Sequence, residues 1–194
     1  VGLPVTDAGQ RPKTAIVYDL RSSWAVKEEI LKAGGTPVRD RVGHSFMKAT
    51  MRAKGAKFGG ELSGHFYFAE NFTADSGMIA MMSVLSLLTA PESAGKSLGQ
   101  MLAKVRRYHS TGEINFHVED KDGMIATLKK RYVQGRSPGN YDELDGITVE
   151  FSALDQAEWW WFNVRPSNTE PLLRMIVEAS SAHLRDHEEA EVIG

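Results

Sequence analysis

Two short segments carry side chains that could work on a ligand. The first is Gly59-Gly60-Glu61-Leu62-Ser63-Gly64-His65. Its three glycines permit a tight loop and close approach of a ligand to the backbone. Glu61, Ser63 and His65 occupy alternate positions, so in an extended conformation all three point the same way. A carboxylate, a hydroxyl and an imidazole on one face suit the hydroxyls of a sugar. The carboxylate accepts from two vicinal O–H groups, while Ser63 and His65 donate or accept. The alternative is a structural turn with a capping Glu and a partly buried His.

The second segment is Arg165-Pro166-Ser167-Asn168-Thr169-Glu170-Pro171. Arg165 offers a guanidinium fork for a phosphate. Ser167, Asn168 and Thr169 offer side-chain donors and, in a turn, a concave row of backbone N–H groups. Pro166 and Pro171 stiffen the loop and lower its ordering cost on binding. The alternative is a polar turn between strands. Two weaker pieces accompany these segments. Arg21 follows a strand end, where α/β proteins tend to bind ligands. His44 stands beside a helix N-terminus, a favourable anion position.

Other features point away from chemistry. His183 and His187 have the i, i+4 spacing of metal ligands, but they belong to a highly charged terminal helix whose solvated face accounts for them. Trp159-Trp160-Trp161-Phe162 alternates across a strand, and core packing is the simplest reading. Met78, Met81 and Met82 follow helical spacing and are expected in the core.

The elements that must position the two segments follow from periodicity and turn chemistry. Residues 14–19 and 36–40 read as strands, separated by a helix capped by Ser23 and stopped at Gly34-Gly35. Ser45 is expected to cap a second helix ending at Gly55. Residues 57–58 and 66–68 read as strand pieces around the glycine-rich loop. A long apolar helix, expected to be buried, runs from Asp75 or Ser76 to about Leu88 and is broken by Pro91. A further helix covers 98–106. This alternation is an α/β pattern over residues 1–105. From residue 106 to 194 the pattern changes. Strands are expected at 114–118, 147–151, 159–164 and 172–177, with helices at 122–132 and from about 181. That order describes an α+β domain, a four-stranded antiparallel sheet with two helices on one face.

Composition sets outer bounds. The chain has 194 residues, a formal net charge of -2 and no cysteine. The charge argues against a broad nucleic-acid surface, which needs clustered positive excess. Without cysteine there is no disulfide and no thiolate metal site, which fits a reducing, cytoplasmic setting. No apolar run reaches the roughly 18 residues of a membrane span, and no membrane partner is expected.

Taken together, the four pieces resemble the α-D-phosphohexomutase superfamily, the phosphoglucomutase/phosphomannomutase group, in order and spacing. Residues 60–65 resemble its GEMSGH sugar-binding loop, with Leu62 in place of the common Met. Residues 165–171 resemble the phosphate-binding loop of its fourth domain. Asp19-Leu20-Arg21-Ser22-Ser23 and Gly43-His44-Ser45 resemble two further third-domain contacts, where many members have Lys at the position of Arg21.

The resemblance implies the family's third and fourth domains, the third incomplete at its N-terminal end. It also implies an isomerase that moves phosphate between the 1- and 6-positions of a hexose. A phosphoserine donates the phosphate, and a hexose 1,6-bisphosphate is the intermediate. Glu61, Ser63 and His65 would then bind the sugar, with His65 as candidate general acid/base. Arg165, Ser167, Asn168 and Thr169 would hold phosphate, assisted by Arg21 and His44. The family's phosphoserine loop and its acidic magnesium loop have no counterpart in the sequence. The chain is therefore expected to be a C-terminal half, holding no catalytic Mg2+, inactive alone and dependent on N-terminal domains of the same protein. Alternatives are half of a phosphoglucosamine-type mutase, or a non-catalytic module that binds sugar phosphates.

Overall fold

The computed structural model describes residues 14–134, 140–151, 158–167 and 170–194. The chain divides into two compact units between Arg106 and Arg107.

The first unit alternates β1 (Ala15–Asp19), α1 (Trp24–Lys32), β2 (Thr36–Asp40), α2 (His44–Lys54) and β3 (Phe58–Gly60). It continues with β4 (Phe66–Phe68), β5 (Ala74–Asp75), α3 (Gly77–Thr89) and α4 (Leu98–Leu102). The sheet order is β2-β1-β3-β4-β5, with β1, β2 and β3 parallel and β4 and β5 added antiparallel. Val17, Gly59 and Tyr67 are register partners on one face, where Met47 and Met51 of α2 pack against them. A Cβ on Gly59 would stand 2.8 Å from Met51 Sδ, so the glycine permits the close approach of helix to sheet.

Ser23 caps α1 as expected, its hydroxyl accepting from Ala25 N–H at 3.2 Å. The N-cap of α2 differs from expectation: it is Gly43, at φ +128, and Ser45 lies inside the first turn. Gly43 is drawn into this conformation because its N–H donates to Glu61 at 3.2 Å.

The largest departure is α3. Its apolar run predicts a buried helix, yet none of its residues is buried. Met78, Met81 and Met82 are 69%, 51% and 56% exposed. An open groove between this helix and the sheet is lined by Phe58, Phe66 and Phe68 on one side and by Ala80, Met81, Val84 and Leu85 on the other. Apolar periodicity reports which face a helix would bury, and among the described residues of this unit none covers the remainder of that face.

The second unit contains β6 (His109–Ser110), β7 (Ile114–His117), α5 (Lys121–Lys129), β8 (Asn140–Asp142), β9 (Ile147–Phe151), β10 (Trp160–Pro166), β11 (Leu172–Ala179) and α6 (Ala182–Ile193). The four expected strands form the antiparallel array β7-β11-β10-β9, and the short β6 and β8 extend it. Trp160, Phe162 and Val164 face one way and join Val149, Met175 and Val177 in the core. Leu128 and Tyr132, from α5 and its π-helical continuation, and Val192 of α6 close that core, so both helices cover one face. Trp161, Asn163 and Arg165 alternate onto the opposite face. There Trp161 Nε1 donates to Glu178 at 2.9 Å, and Asn163 Nδ2 donates to Asp145 O at 3.0 Å. The aromatic run is thus structural, as the alternation suggests. No helix among the described residues is long and apolar enough to cross a membrane.

Candidate functional site

Because β1, β2 and β3 are parallel, their last residues, Asp19, Asp40 and Gly60, share one edge of the sheet. Ligands of open α/β sheets bind beyond this edge. The segments leaving it carry Arg21, His44 and Glu61, so topology brings together residues far apart in sequence.

Asp19 ties these segments together. It is fully buried, and its carboxylate accepts from Arg21 N–H at 2.9 Å, Arg21 Nε at 3.1 Å, Arg21 Nη2 at 2.6 Å and Leu62 N–H at 3.0 Å. The same Arg21 Nη2 lies 4.0 Å from Glu61 Oε2. Glu61 accepts the Tyr67 hydroxyl on Oε1 at 2.5 Å and the Gly43 N–H on Oε2 at 3.2 Å. Burial, followed by the bond to Glu61, pushes the Tyr67 hydroxyl well above its ordinary range, so it stays a donor. A carboxylate has about four lone-pair sites. Glu61 therefore keeps acceptor capacity after serving Tyr67 and Gly43.

The glycine-rich segment is a closed turn rather than an extended strand. Glu61 N–H donates to His65 O at 2.9 Å and Gly64 N–H to Glu61 O at 3.0 Å, with Gly64 at φ +86. The alternation expected for an extended loop is therefore absent. Glu61 turns inward, while Ser63 and His65 are exposed. His65 Nδ1 meets Asp75 Oδ2 at 2.6 Å, and Phe66 N–H donates to Asp75 Oδ1 at 2.9 Å. The bond to Asp75 raises the His65 pKa above 6.5, and the same bond lowers that of Asp75. His44 is the exposed first residue of α2, whose first turn has no side-chain cap.

In the second unit, Arg165 is buried and donates from Nη2 to Glu113 Oε2 at 2.8 Å. Ser167 is also buried, and its N–H donates to Leu172 O at 2.9 Å, closing the loop between β10 and β11. Lys121 Nζ donates to Ser167 O and Glu170 O, each at 3.3 Å. Asn168 and Thr169 lie outside the described residues.

The residues missed by sequence reasoning are the anionic and phenolic partners: Asp19, Tyr67, Asp75 and Glu113. Asp19 is visible in the sequence only as the first residue of the segment that carries Arg21. Asp75 was legible only as a possible helix cap. Ser76 does that work instead, accepting from Ile79 N–H at 3.2 Å.

Comparison with known proteins gives a consistent result for both units. A family model described as phosphoglucomutase/phosphomannomutase, alpha/beta/alpha domain III, matches residues 4–108. The model of the phosphoglucomutase/phosphomannomutase C-terminal domain matches residues 113–193. The chain is 39% identical over 170 residues to the phosphohexose mutases of Xanthomonas campestris, covering 87% of this chain and 36% of that protein. It is 39% identical to a phosphomannomutase of Methanocaldococcus jannaschii, covering 88% and 35%. The crystal structure of a phosphoglucomutase/phosphomannomutase family protein from Burkholderia thailandensis superposes with a TM-score of 0.73 at 26% identity, covering 92% of this chain and 36% of that one. The chain thus spans about a third of the length of the relatives it matches. Matched in both units by successive domains of one protein type, it belongs to the phosphoglucomutase/phosphomannomutase family.

Proposed function

We propose that this chain recognises a phosphorylated hexose, as the substrate-reading half of an enzyme that interconverts hexose 1-phosphate and hexose 6-phosphate. The observation that carries this reading is the convergence of Arg21, Glu61 and the N-terminus of α2 beyond the carboxyl ends of three parallel strands. Glu61 accepts from sugar hydroxyls with its remaining lone pairs, and Ser63 adds a hydroxyl that can donate or accept. Arg21 and His44 supply donors beside the first turn of α2, where backbone N–H groups favour an anion. Arg165 and Ser167, with Asn168 and Thr169, hold a phosphate group in the second unit. His65 presents an imidazole for proton transfer to or from a sugar oxygen.

The complete reaction requires a phosphoserine and a bisphosphorylated sugar intermediate, with magnesium supplying charge neutralisation at the reacting phosphate. Among the described residues no group of three or more His, Asp or Glu is placed to hold a metal. The chain alone is expected to bind without turning over.

Calorimetric titration with glucose 1-phosphate and mannose 1-phosphate tests the reading. Binding that weakens about tenfold or more in Glu61→Gln and in Arg165→Ala supports it. Wild-type chain that gives no binding heat with either sugar, or variants that bind as tightly as wild type, would count against it. Mutase turnover by the purified chain, with host enzyme excluded, would overturn the expectation of inactivity.

A further inference from the structure

We infer that Asp75 is the positioning residue of His65, holding its ring so that Nε2 alone is presented to the sugar phosphate. This inference rests on the proposed role of His65 in reading that ligand.

The geometry is specific. Asp75 is the last residue of β5 and sits opposite Tyr67 of β4. One carboxylate oxygen accepts from Phe66 N–H at 2.9 Å, which fixes the plane of the group. The other lies 2.6 Å from His65 Nδ1. Helix capping does not occupy this carboxylate, because Ser76 caps α3. The backbone of His65 is held as well, its carbonyl accepting from Glu61 N–H at 2.9 Å. Both ends of the ring's attachment are thus defined on a residue whose side chain is 55% exposed.

The consequence for chemistry follows from the two ring nitrogens. A carboxylate at Nδ1 requires a proton there, so a neutral ring carries its lone pair on Nε2 and a charged ring carries a donor there. The charged groups acting on this pair are Glu61 from the turn after β3, which favours the imidazolium, and Lys48 of α2, which favours the Asp75 carboxylate. Tyr67 of β4 remains a neutral phenol. The ring therefore offers Nε2–H to a phosphate or sugar oxygen up to a higher pH than an unassisted histidine.

Nitrogen-resolved NMR of the chain during a pH titration tests the assignment, alongside binding of glucose 1-phosphate. In wild type the neutral His65 should be the Nδ1–H tautomer. Asp75→Asn removes the charge and leaves one oxygen for two donors; with that oxygen kept by Phe66 N–H, the amide NH2 faces Nδ1, so the His65 midpoint should move to lower pH and the neutral ring should change to the Nε2–H tautomer. Asp75→Ala should lower the midpoint and mix the tautomers, and should weaken glucose 1-phosphate about tenfold at neutral pH. Asp75→Glu should restore part of the affinity. If Asp75→Ala fails to fold, Asp75→Asn decides alone through the midpoint.

An unchanged midpoint in Asp75→Asn, or an Nε2–H tautomer in wild type, would overturn the inference. So would unchanged glucose 1-phosphate affinity in Asp75→Ala where wild type binds. A correct tautomer and shifted midpoint, with His65 signals indifferent to saturating glucose 1-phosphate, would uphold the pairing but reject His65 as a ligand group. That result would refute the assigned purpose of Asp75 separately from the wider reading.

Discussion

Arg165 and Arg174 stand directly opposite each other on β10 and β11, and a single carboxylate, Glu113, joins them. Glu113 Oε2 accepts from Arg165 at 2.8 Å and Oε1 from Arg174 at 3.0 Å. Like charges opposed across strands repel unless something neutralises them. Arg165 is 7% exposed, whereas Glu113 and Arg174 are 20% and 27% exposed, so solvent screens part of the interaction. Glu113→Ala is expected to cost about 2 kcal/mol in urea unfolding, below the roughly 3–5 kcal/mol of a fully buried pair. Inorganic phosphate should raise the melting temperature of this variant more than that of wild type, because an anion can take the place of the lost carboxylate. Equal phosphate effects on both proteins would argue against an anion site at Arg165.

Gly146 controls the backbone beneath the same arginine. Its φ is +70, and an added Cβ would stand 2.1 Å from Val164 O and 2.6 Å from Arg165 Cα. Gly146→Ala combines backbone strain with a backbone clash that no rotamer relieves. A loss of about 3 kcal/mol or more is expected in denaturant unfolding, with weaker phosphate binding in the fraction that folds.

The methionines of the first unit should separate into two classes. Met47 and Met51 are buried against the sheet, and truncating either to Ala is expected to cost about 2–5 kcal/mol. Met78→Gln and Met82→Gln alter exposed positions on α3 and should stay within about 0.5 kcal/mol of wild type. Urea unfolding of the four variants checks the contrast. Comparable losses in both classes would mean that α3 is covered in solution.

The His65–Asp75 pair should leave a bounded signature in pH. The folded pKa of His65 is raised above 6.5, so its stabilising contribution is complete below that value and fades as pH rises through the raised value. The folded pKa of Asp75 is lowered below 3.8, so its contribution is complete above that value and fades as pH falls through the lowered one. Melting temperatures of wild type and Asp75→Asn should therefore differ most between about pH 4 and 6.5 and converge on either side. Both side chains are substantially exposed, so the difference should be small and shrink with added salt. A difference constant across the whole range would assign the effect to packing instead of charge.

Much of this protein was legible in local sequence. The β2 range, the Ser23 cap and the change from α/β to antiparallel architecture all follow from side-chain period and short-range hydrogen bonding, which neighbouring residues decide among themselves. The two polar loops were visible for the same reason, since their residue types are contiguous. What lay beyond sequence depended on partners distant along the chain. Gly43 displaced Ser45 as the cap of α2 because Glu61, eighteen residues later, takes its N–H. The loop at 61–65 closed into a turn, with Asp19 held 43 residues away from Leu62 in sequence but bonded to its backbone. Asp75 chose His65 over a helix terminus once β4 and β5 paired. Helix α3 shows the converse: its apolar pattern was correctly visible, but burial requires a second surface. Period and propensity are properties of one segment, whereas hydrogen-bond partners and burial are properties of what the fold places beside it.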